Sequence, residues 1–566
     1  MPSDNSNNAS LRNFTKFFQR FSINRGALKD DLIAGITVSL VAIPQSLAYA
    51  QLAGVPAYYG LYASLIPTII GALLGSSRQL STGPVAMTSL LTAASVAPLA
   101  GHGTELFYSY VILLALLSGL FQIAFGVFRM GVLLNFLSHP VLMGFINAAA
   151  LIIGLSQLPT LLGIPAKQTS HFLLDIWGVL SSAATMHEIS LGFGVIAIVM
   201  LLVFKKFTPR LPGVLITVAV LTWVSYEIGF ANIGGRVVGD IPQGLPSLSL
   251  PPMDWHASMA LLPAGFVIAL ISFMEAMSSS KVIAIKTRQP WDQNKELIGQ
   301  GLAKVAAAFS HSMPVSGSFS RSALNLSLNA RTGFASVVSA ISVLLTLLFF
   351  TPLLFHLPKP VLAAIIMVAV LGLVNFKNFS KAWHANRDDG VASIVTFVAT
   401  LAFAPNIQNG ILTGILLSLA LLLYRMMRPH IAILGISHDA TLRDAERHNL
   451  PPLHPKVGAL RFDGALRFVN VSYFEDALLK LERENPEISH VLVKCNGIND
   501  LDASGVEMLA NLVTRFRDSG ITLIFSGFKK QVQDVLDRTG LTERIGSSHI
   551  FATDREAIEQ LNQVLA

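Results

Sequence analysis

Apolar residues run along this chain in long blocks rather than in alternation, and short polar or Gly/Pro-containing intervals separate the blocks. Between Asp31 and about residue 427 the pattern predicts membrane spans near 31–53, 58–76, 82–98, 106–128, 133–158, 186–206, 212–231, 255–282, 292–310, 318–330, 333–355, 359–376, 389–404 and 407–427, fourteen in all. Two of them, starting at Thr82 and Ser318, fall short of the ~20 residues that a full crossing requires and read as half-helices. The 165–184 segment is predicted as an additional interfacial helix. From about Ile433 the blocks end. His438–Pro455 reads as a charged linker, within a boundary region set at 431–455. Val457–Phe462, Val491–Lys494 and Ile521–Phe525 read as buried strands. Ser504–Ser519 reads as a helix, with Met508, Leu509, Leu512, Val513 and Phe516 in one apolar stripe. Strand–helix alternation over 456–566 predicts a small α/β domain.

The distribution of charge agrees with this layout. With the N-terminal segment, 1–30, on the cytoplasmic side, loops after even-numbered spans should collect Lys and Arg. They hold Arg78, Arg129, Lys205, Lys206, Arg210, Lys281, Lys286, Arg288, Arg331, Lys377, Lys381, Arg387, Arg425 and Arg428, whereas the other loops hold chiefly Lys167, Arg236 and Lys359. Fourteen spans with both termini inside fit that bias. Phe14, Phe18 and Phe21 with Lys16, Arg20 and Arg25 form either a helix on the membrane surface or a solvated tail. Residues 1–30 lack the apolar core and cleavage site of a signal peptide.

Composition narrows the class. The 566 residues are 52% apolar and 13% charged, with mean hydropathy +0.59; soluble domains carry about twice that charge fraction. The net charge of +7 sits beside apolar spans, which argues for cytoplasmic loops rather than nucleic acid. A single cysteine, Cys495, allows no intramolecular disulfide and no Cys-based metal site. The chain shows no P-loop or dinucleotide fingerprint and no metal-ligand spacing, so neither hydrolysis-driven transport nor a cofactor is expected.

Two stretches interrupt the apolar pattern in the same way. Pro314–Asn325 reads Pro-Val-Ser-Gly-Ser-Phe-Ser-Arg-Ser-Ala-Leu-Asn, and Ser81–Leu90 reads Ser-Thr-Gly-Pro-Val-Ala-Met-Thr-Ser-Leu. Each places Ser, Gly and Pro ahead of a short helix. A helix that starts at membrane depth presents free N–H groups and a positive dipole end. Arg321 adds a full charge where charge is costly, which marks an anion site. Interrupted segments at matching places in two halves point to a transporter's binding site. Ala34-Gly35, Leu40 and Gln45 share their spacing with Ala264-Gly265, Leu270 and Glu275, which predicts a seven-plus-seven inverted repeat. Gln45 can donate an amide N–H to an oxyanion, and Tyr49 lies one turn on. Glu275 is either a coupling residue that carries a proton or a structural carboxyl paired with Arg321 or Lys281. Glu296, Gln300 and Lys304 form a polar stripe expected to face protein rather than lipid. His139 and His311, at span ends, are read as interfacial residues.

These residues resemble the sulfate permease (SulP) family, related to the solute carrier family 26 anion transporters. The resemblance rests on Asp31–Val38, Ile43–Ala50, Gly60–Ser64 and Ser81–Ala86. In the second half it rests on Glu275, Ser280-Lys281, Asn294–Gly301 and Gly317–Ala323. It implies a polytopic α-helical membrane protein of fourteen segments in a 7+7 inverted repeat with UraA-like core and gate domains. Spans 1–4 and 8–11 would form the core, spans 5–7 and 12–14 the gate. Over residues 31–430 the anion would bind between the N-termini of spans 3 and 10. Carried over by motif, Gln45, Tyr49, Val85, Ala86, Ser320 and Arg321 would bind substrate, and Glu275 would couple.

The C-terminal part is similar to a STAS domain. Leu501-Asp502-Ala503-Ser504-Gly505 matches a loop that carries a phosphorylatable serine in bacterial relatives. Ser504 is therefore either a regulatory site or simply the N-cap of its helix. The resemblance further implies a homodimer in a cell membrane, with a cytoplasmic STAS domain open to a protein partner. Family members carry sulfate, bicarbonate, chloride or dicarboxylates. Ser-Phe-Ser-Arg with a span-8 glutamate looks most like the sulfate branch, and the arginine counts against cyanobacterial bicarbonate carriers. Expected, then, is a secondary sulfate transporter coupled to protons or sodium, working by alternating access. The alternatives are transport of another of these anions, an uncoupled anion channel, or a scaffold whose output is STAS binding.

Overall fold

The computed structural model describes residues 25–130, 138–165, 172–208, 212–404, 406–439 and 441–565. The surface-helix reading of 14–25, apart from the helical backbone of Arg25, lies outside them, as do Lys167 and Arg210. The chain divides into two compact units, Met1–Ser418 and Leu419–Ala566.

The first unit is helical. In order it contains α1 Arg25–Leu52, α2 Ala57–Ala63, α3 Ile66–Leu74, β1 Ser81–Gly83, α4 Ala86–Val96, α5 Glu105–Val127, α6 His139–Ser156, α7 Leu158–Leu162, α8 Phe172–Ser181, α9 Glu188–Phe207 and α10 Gly213–Glu227. The second half contains α11 Trp255–Thr287, α12 Gln293–Phe309, β2 Ser316–Ser318, α13 Phe319–Ser327, α14 Phe334–Leu345, α15 Thr351–Leu354, α16 Lys359–Leu371, α17 Lys377–Ala385, α18 Arg387–Phe403 and α19 Ile407–Met427. Each predicted span has its helix. Eight described helical stretches are long and apolar enough to cross a membrane; the remaining spans are built from shorter helices. The interfacial segment contains α8, whose Leu173, Leu174, Trp177 and Leu180 are exposed. A loop read as merely basic holds α17, an amphipathic helix with no buried residue.

The two halves exchange their packing. Gly35 of α1, the first span, lies so close to α14, the eleventh, that a Cβ would stand 2.4 Å from the Ala335 carbonyl oxygen. Gly265 of α11, the eighth span, lies against Leu117 and Ser118 of α5, the fourth, where a Cβ would stand 3.2 Å from the Leu117 Cβ. First-on-eleventh and eighth-on-fourth is the reciprocal contact of a seven-plus-seven repeat. At the centre the halves join as a two-stranded sheet, β1 antiparallel to β2, with Ser81 opposite Ser318, Thr82 opposite Gly317 and Gly83 opposite Ser316. Both strands are buried throughout. Periodicity could not reveal three-residue strands, because their ladder partners come from the other half of the chain.

The second unit carries β3 His430–Ile436, β4 Leu442–Asp444, α20 Ala445–His448, β5 Val457–Asp463, α21 Val471–Glu484, β6 His490–Lys494, α22 Ala503–Asp518, β7 Thr522–Ser526, α23 Lys530–Arg538, α24 Leu541–Ile545, β8 Ile550–Phe551 and α25 Asp554–Leu565. Its sheet runs β4-β3-β5-β6-β7-β8. β5 through β8 are parallel, and β3 is antiparallel to both β4 and β5. One apolar cluster joins the sheet to α21–α24, and a second joins its other face to α25. Residues 431–455, read as a linker, instead supply β3 and β4. Ala432, Leu434 and Leu442 enter the core there, while polar residues after β4, Glu446 to Asn449, stay exposed. Nor does Ser504 cap α22: Asp502 does, its Oδ1 accepting from Gly505 N at 2.9 Å. A carboxylate there satisfies the N–H and favours the helix dipole as well.

Candidate functional site

The centre of the first unit is a pair of helix N-termini. α4 begins after β1 across Pro84 and Val85, and α13 directly after β2, so strand pairing fixes the two tips side by side. Val85 is the N-cap residue of α4 in extended conformation, and its side chain offers no acceptor to the first N–H groups. Ser318 caps α13, its Oγ accepting from Arg321 N at 3.4 Å. α1 and α11 both pack against α4 and α13, and thereby close the sides of the site.

Arg321 bridges the two tips. It is 2% exposed. Its Nε donates to Ser81 Oγ at 3.3 Å and its Nη1 to the Pro84 carbonyl at 3.0 Å, both on the opposite half. Its Nη2 is buried without a hydrogen-bond partner among the described residues. The guanidinium lies over Gly83, where a Cβ would stand 2.9 Å from Nη2. Glycine at that position is what allows the cation to reach across. A planar cation anchored by two acceptors, with the N–H groups of Nη2 unsatisfied, is poised to donate to an oxyanion.

The other expected residues converge here. Gln45 is buried, and its Oε1 has no partner among the described residues. Tyr49 is buried one turn on, within electrostatic reach of Arg321 and Glu275. Val85 and Ala86 form the buried tip of α4. Glu275 is half-buried on α11, near Ser316, Lys304 and Arg321, and its Oε2 lacks a hydrogen-bond partner among the described residues. Lys281, considered as its counterion, is exposed instead. Ser320 is exposed at the start of α13, its Oγ 3.4 Å from Ser318 Oγ. Ser504 belongs to the second unit.

Supporting residues, several of them beyond sequence reasoning, hold these groups in place. Ser322 Oγ accepts from Ser81 N at 2.9 Å, and Ser316 Oγ donates to the Ser272 carbonyl at 3.0 Å. Thr82 receives Thr68 Oγ1 on its carbonyl and Gln300 Nε2 on its hydroxyl, both at 2.8 Å. The stripe Glu296, Gln300 and Lys304 is buried. Glu296 Oε2 accepts from Ser76 N and Ser77 N at 2.6 and 2.7 Å. Lys304 donates to Gln122 Oε1 and Ser272 Oγ. The stripe's spacing was visible in the sequence; its partners on other elements, from 32 to 220 positions away, were not. No described cluster of His, Cys, Asp or Glu could hold a metal ion.

Comparison with known proteins places this arrangement. A family model described as the sulfate permease family matches residues 28–396, and one described as the STAS domain matches 451–557. The chain is 34% identical to probable sulfate transporter 4.2 of Arabidopsis thaliana over 550 residues, covering 94% of this chain and 80% of that one. It is 30% identical to a probable sulfate transporter of Mycobacterium tuberculosis, covering 94% of this chain and 95% of that one. In fold it is similar to solute carrier family 26 member A9, with a TM-score of 0.89 at 20% identity over 99% of this chain and 95% of that one. It is also similar to the transmembrane domain of a cyanobacterial bicarbonate transporter, with a TM-score of 0.60 at 22% identity over 69% of this chain and 98% of that one.

Proposed function

The chain belongs to the sulfate permease family, a family of multi-pass membrane transporters, and on that premise we propose that it is a secondary transporter of sulfate. The observation that carries this reading is Arg321 Nη2, buried between two helix N-termini with no hydrogen-bond partner among the described residues. A tetrahedral dianion at that point would accept from the guanidinium and from the open N–H groups of α4. Gln45, Tyr49 and Ser320 would supply further donors, with Val85 and Ala86 shaping the tip.

In this reading the first four spans and the eighth to eleventh move as a core against the rest, carrying the anion from one side to the other. Glu275 takes up a proton as the anion loads and gives it up on release. Sodium coupling would leave Glu275 without that role. We place both termini and the STAS domain in the cytoplasm of a cell membrane, on the charge bias of the loops. A homodimer, and a cytoplasmic protein partner of the STAS domain with Ser504 as its modifiable residue, complete the proposal.

The test is uptake of labelled sulfate by purified protein in vesicles. Saturable uptake driven by an inward proton gradient is expected. Arg321→Ala should lower it about a hundredfold, the ~3 kcal/mol of lost charge-assisted contacts, with the melting temperature without sulfate retained. Sulfate should raise the melting temperature of the unsubstituted protein only. Uptake that persists in Arg321→Ala would remove the site; large non-saturating currents would make the protein a channel.

A further inference from the structure

Helix α9 leaves one apolar face uncovered along its length. Val195, Ile196, Val199, Leu202 and Val203 are all exposed and recur at helical spacing. On a membrane span such a stripe meets lipid tails. It ends on Phe207, 68% exposed, and on exposed Lys205 and Lys206. Lys206 lies one turn beyond Leu202 on the same face, its Nζ 5.3 Å from the centre of the Phe207 ring. Lys205 reaches the adjoining end of α16: a Cβ on Gly372 would stand 3.9 Å from its Nζ.

From that corner the chain enters α17, which is fixed on one side only. The Asn375 N–H donates to Asn147 Oδ1 of α6 at 2.7 Å, and Asn378 Nδ2 lies 3.2 Å from Met143 Sδ of the same helix. The Phe379 ring packs on Phe397 of α18, centres 5.4 Å apart. On its other side Lys377 and Lys381, one turn apart, are exposed, and Phe376 and Trp383 beside them are exposed as well. Lysines flanked by aromatic rings on a short amphipathic helix are the pattern of a helix lying in the membrane interface.

At this end of α6, α9, α16, α17 and α18 the described fixed cations are Lys205, Lys206, Lys377, Lys381 and Arg387. The other titratable groups there are His139, His384, Asp388 and Asp389. Both aspartates sit in the first turn of α18, where the helix dipole favours them. Cations thus outnumber acids, and Arg210, next in sequence after α9, adds another cation.

We propose that this corner binds the phosphate headgroup of an anionic phospholipid, held by Lys205 and Lys206 of α9 and by Lys377 and Lys381 of α17. The apolar stripe identifies the occupant as lipid: the surface that leads into the cations is the one that acyl tails cover. The lysine stems extend that apolar surface while their ammonium groups reach the headgroup level. The inference goes beyond anion transport and does not depend on which anion is carried.

The experiment uses the purified full chain in detergent micelles doped with phosphatidylglycerol or phosphatidylcholine of the same acyl chains. Retained phospholipid is read by native mass spectrometry, and stability by melting temperature. Phosphatidylglycerol should be retained in preference, less so at high salt. Lys377→Gln with Lys381→Gln should raise the half-saturating phosphatidylglycerol fraction about thirtyfold, the ~2 kcal/mol of two lysines near a lipid surface. Lys205→Gln with Lys206→Gln should act likewise, whereas Lys377→Arg with Lys381→Arg should keep the preference. All four lysines are exposed, so the melting temperature in phosphatidylcholine should not change. Equal retention of the two lipids, or an undiminished preference in both glutamine variants, overturns the inference. If inorganic phosphate alone raises the melting temperature as much as phosphatidylglycerol, the cations form a free-anion site and the lipid assignment fails. If the glutamine variants change the oligomeric state in size-exclusion chromatography and not the lipid preference, the surface belongs to a second copy, which overturns it equally.

Discussion

Single residues set this protein's chemistry where a side chain is allowed, or forbidden, a few ångströms of space. Gly83 is the sharpest case: any Cβ would press on the Arg321 guanidinium from 2.9 Å. Gly83→Ala should therefore displace the cation from the gap between the helix tips. Its expected signature is sulfate affinity weakened at least about tenfold, with helical content by circular dichroism unchanged; unaltered affinity would mean that the guanidinium need not lie there. In the STAS domain, hydrogen bonding from Arg461, at 2.7 and 2.8 Å, holds the Asp463 carboxyl below its usual range, and His430 adds to this. A carboxyl depressed in the folded state adds stability above its unfolded value of about 4, and that stability is lost as pH falls through the folded value. Asp463→Asn should thus lower the melting temperature of the domain at pH 7 and leave it nearly unchanged near pH 2, as read by thermal scans across that window.

At the scale of elements, strand pairing and one buried carboxylate, Glu296, hold what precedes the half-helices. β1 and β2 each have only three residues, too few to persist without their partner and the surrounding helices. Glu296 secures the turn into β1 by accepting two backbone N–H groups, while Gln300 joins it to Thr82. Glu296→Ala would leave two amides unpaired in a buried turn, at about 1–3 kcal/mol each. A melting temperature lower by several degrees, together with weaker sulfate binding, is expected; loss of stability alone would mean that the turn does not position the tip. Sequence reading found the short helices from their Pro, Gly and Ser lead-ins. It missed the strands, because a ladder between positions 81–83 and 316–318 leaves no local periodicity.

For the whole molecule, the two units have separate cores, and the boundary between them differs from the one composition suggested. Ala432, Leu434 and Leu442 complete one face of the STAS core, and β3 covers the edge of β5. A fragment beginning at residue 430 should be monodisperse and melt cooperatively, whereas one beginning at 456 should aggregate through its uncovered β5 edge. Size-exclusion chromatography of the two fragments separates these outcomes, and equal behaviour would show that β3 and β4 are dispensable.

The sequence by itself determined where the apolar spans lie, the α/β character of the C-terminal part and the presence of Arg321 and Glu275 inside apolar segments. Those features follow from local hydrophobicity and from the cost of placing charge in an apolar segment. Only the tertiary structure decided which groups meet: Arg321 with Ser81 and Pro84, Lys304 with Gln122 and Ser272, Asp502 rather than Ser504 at the helix cap. Such pairings depend on how the two halves interlock and on a few tenths of an ångström between atoms, and one-dimensional periodicity carries neither.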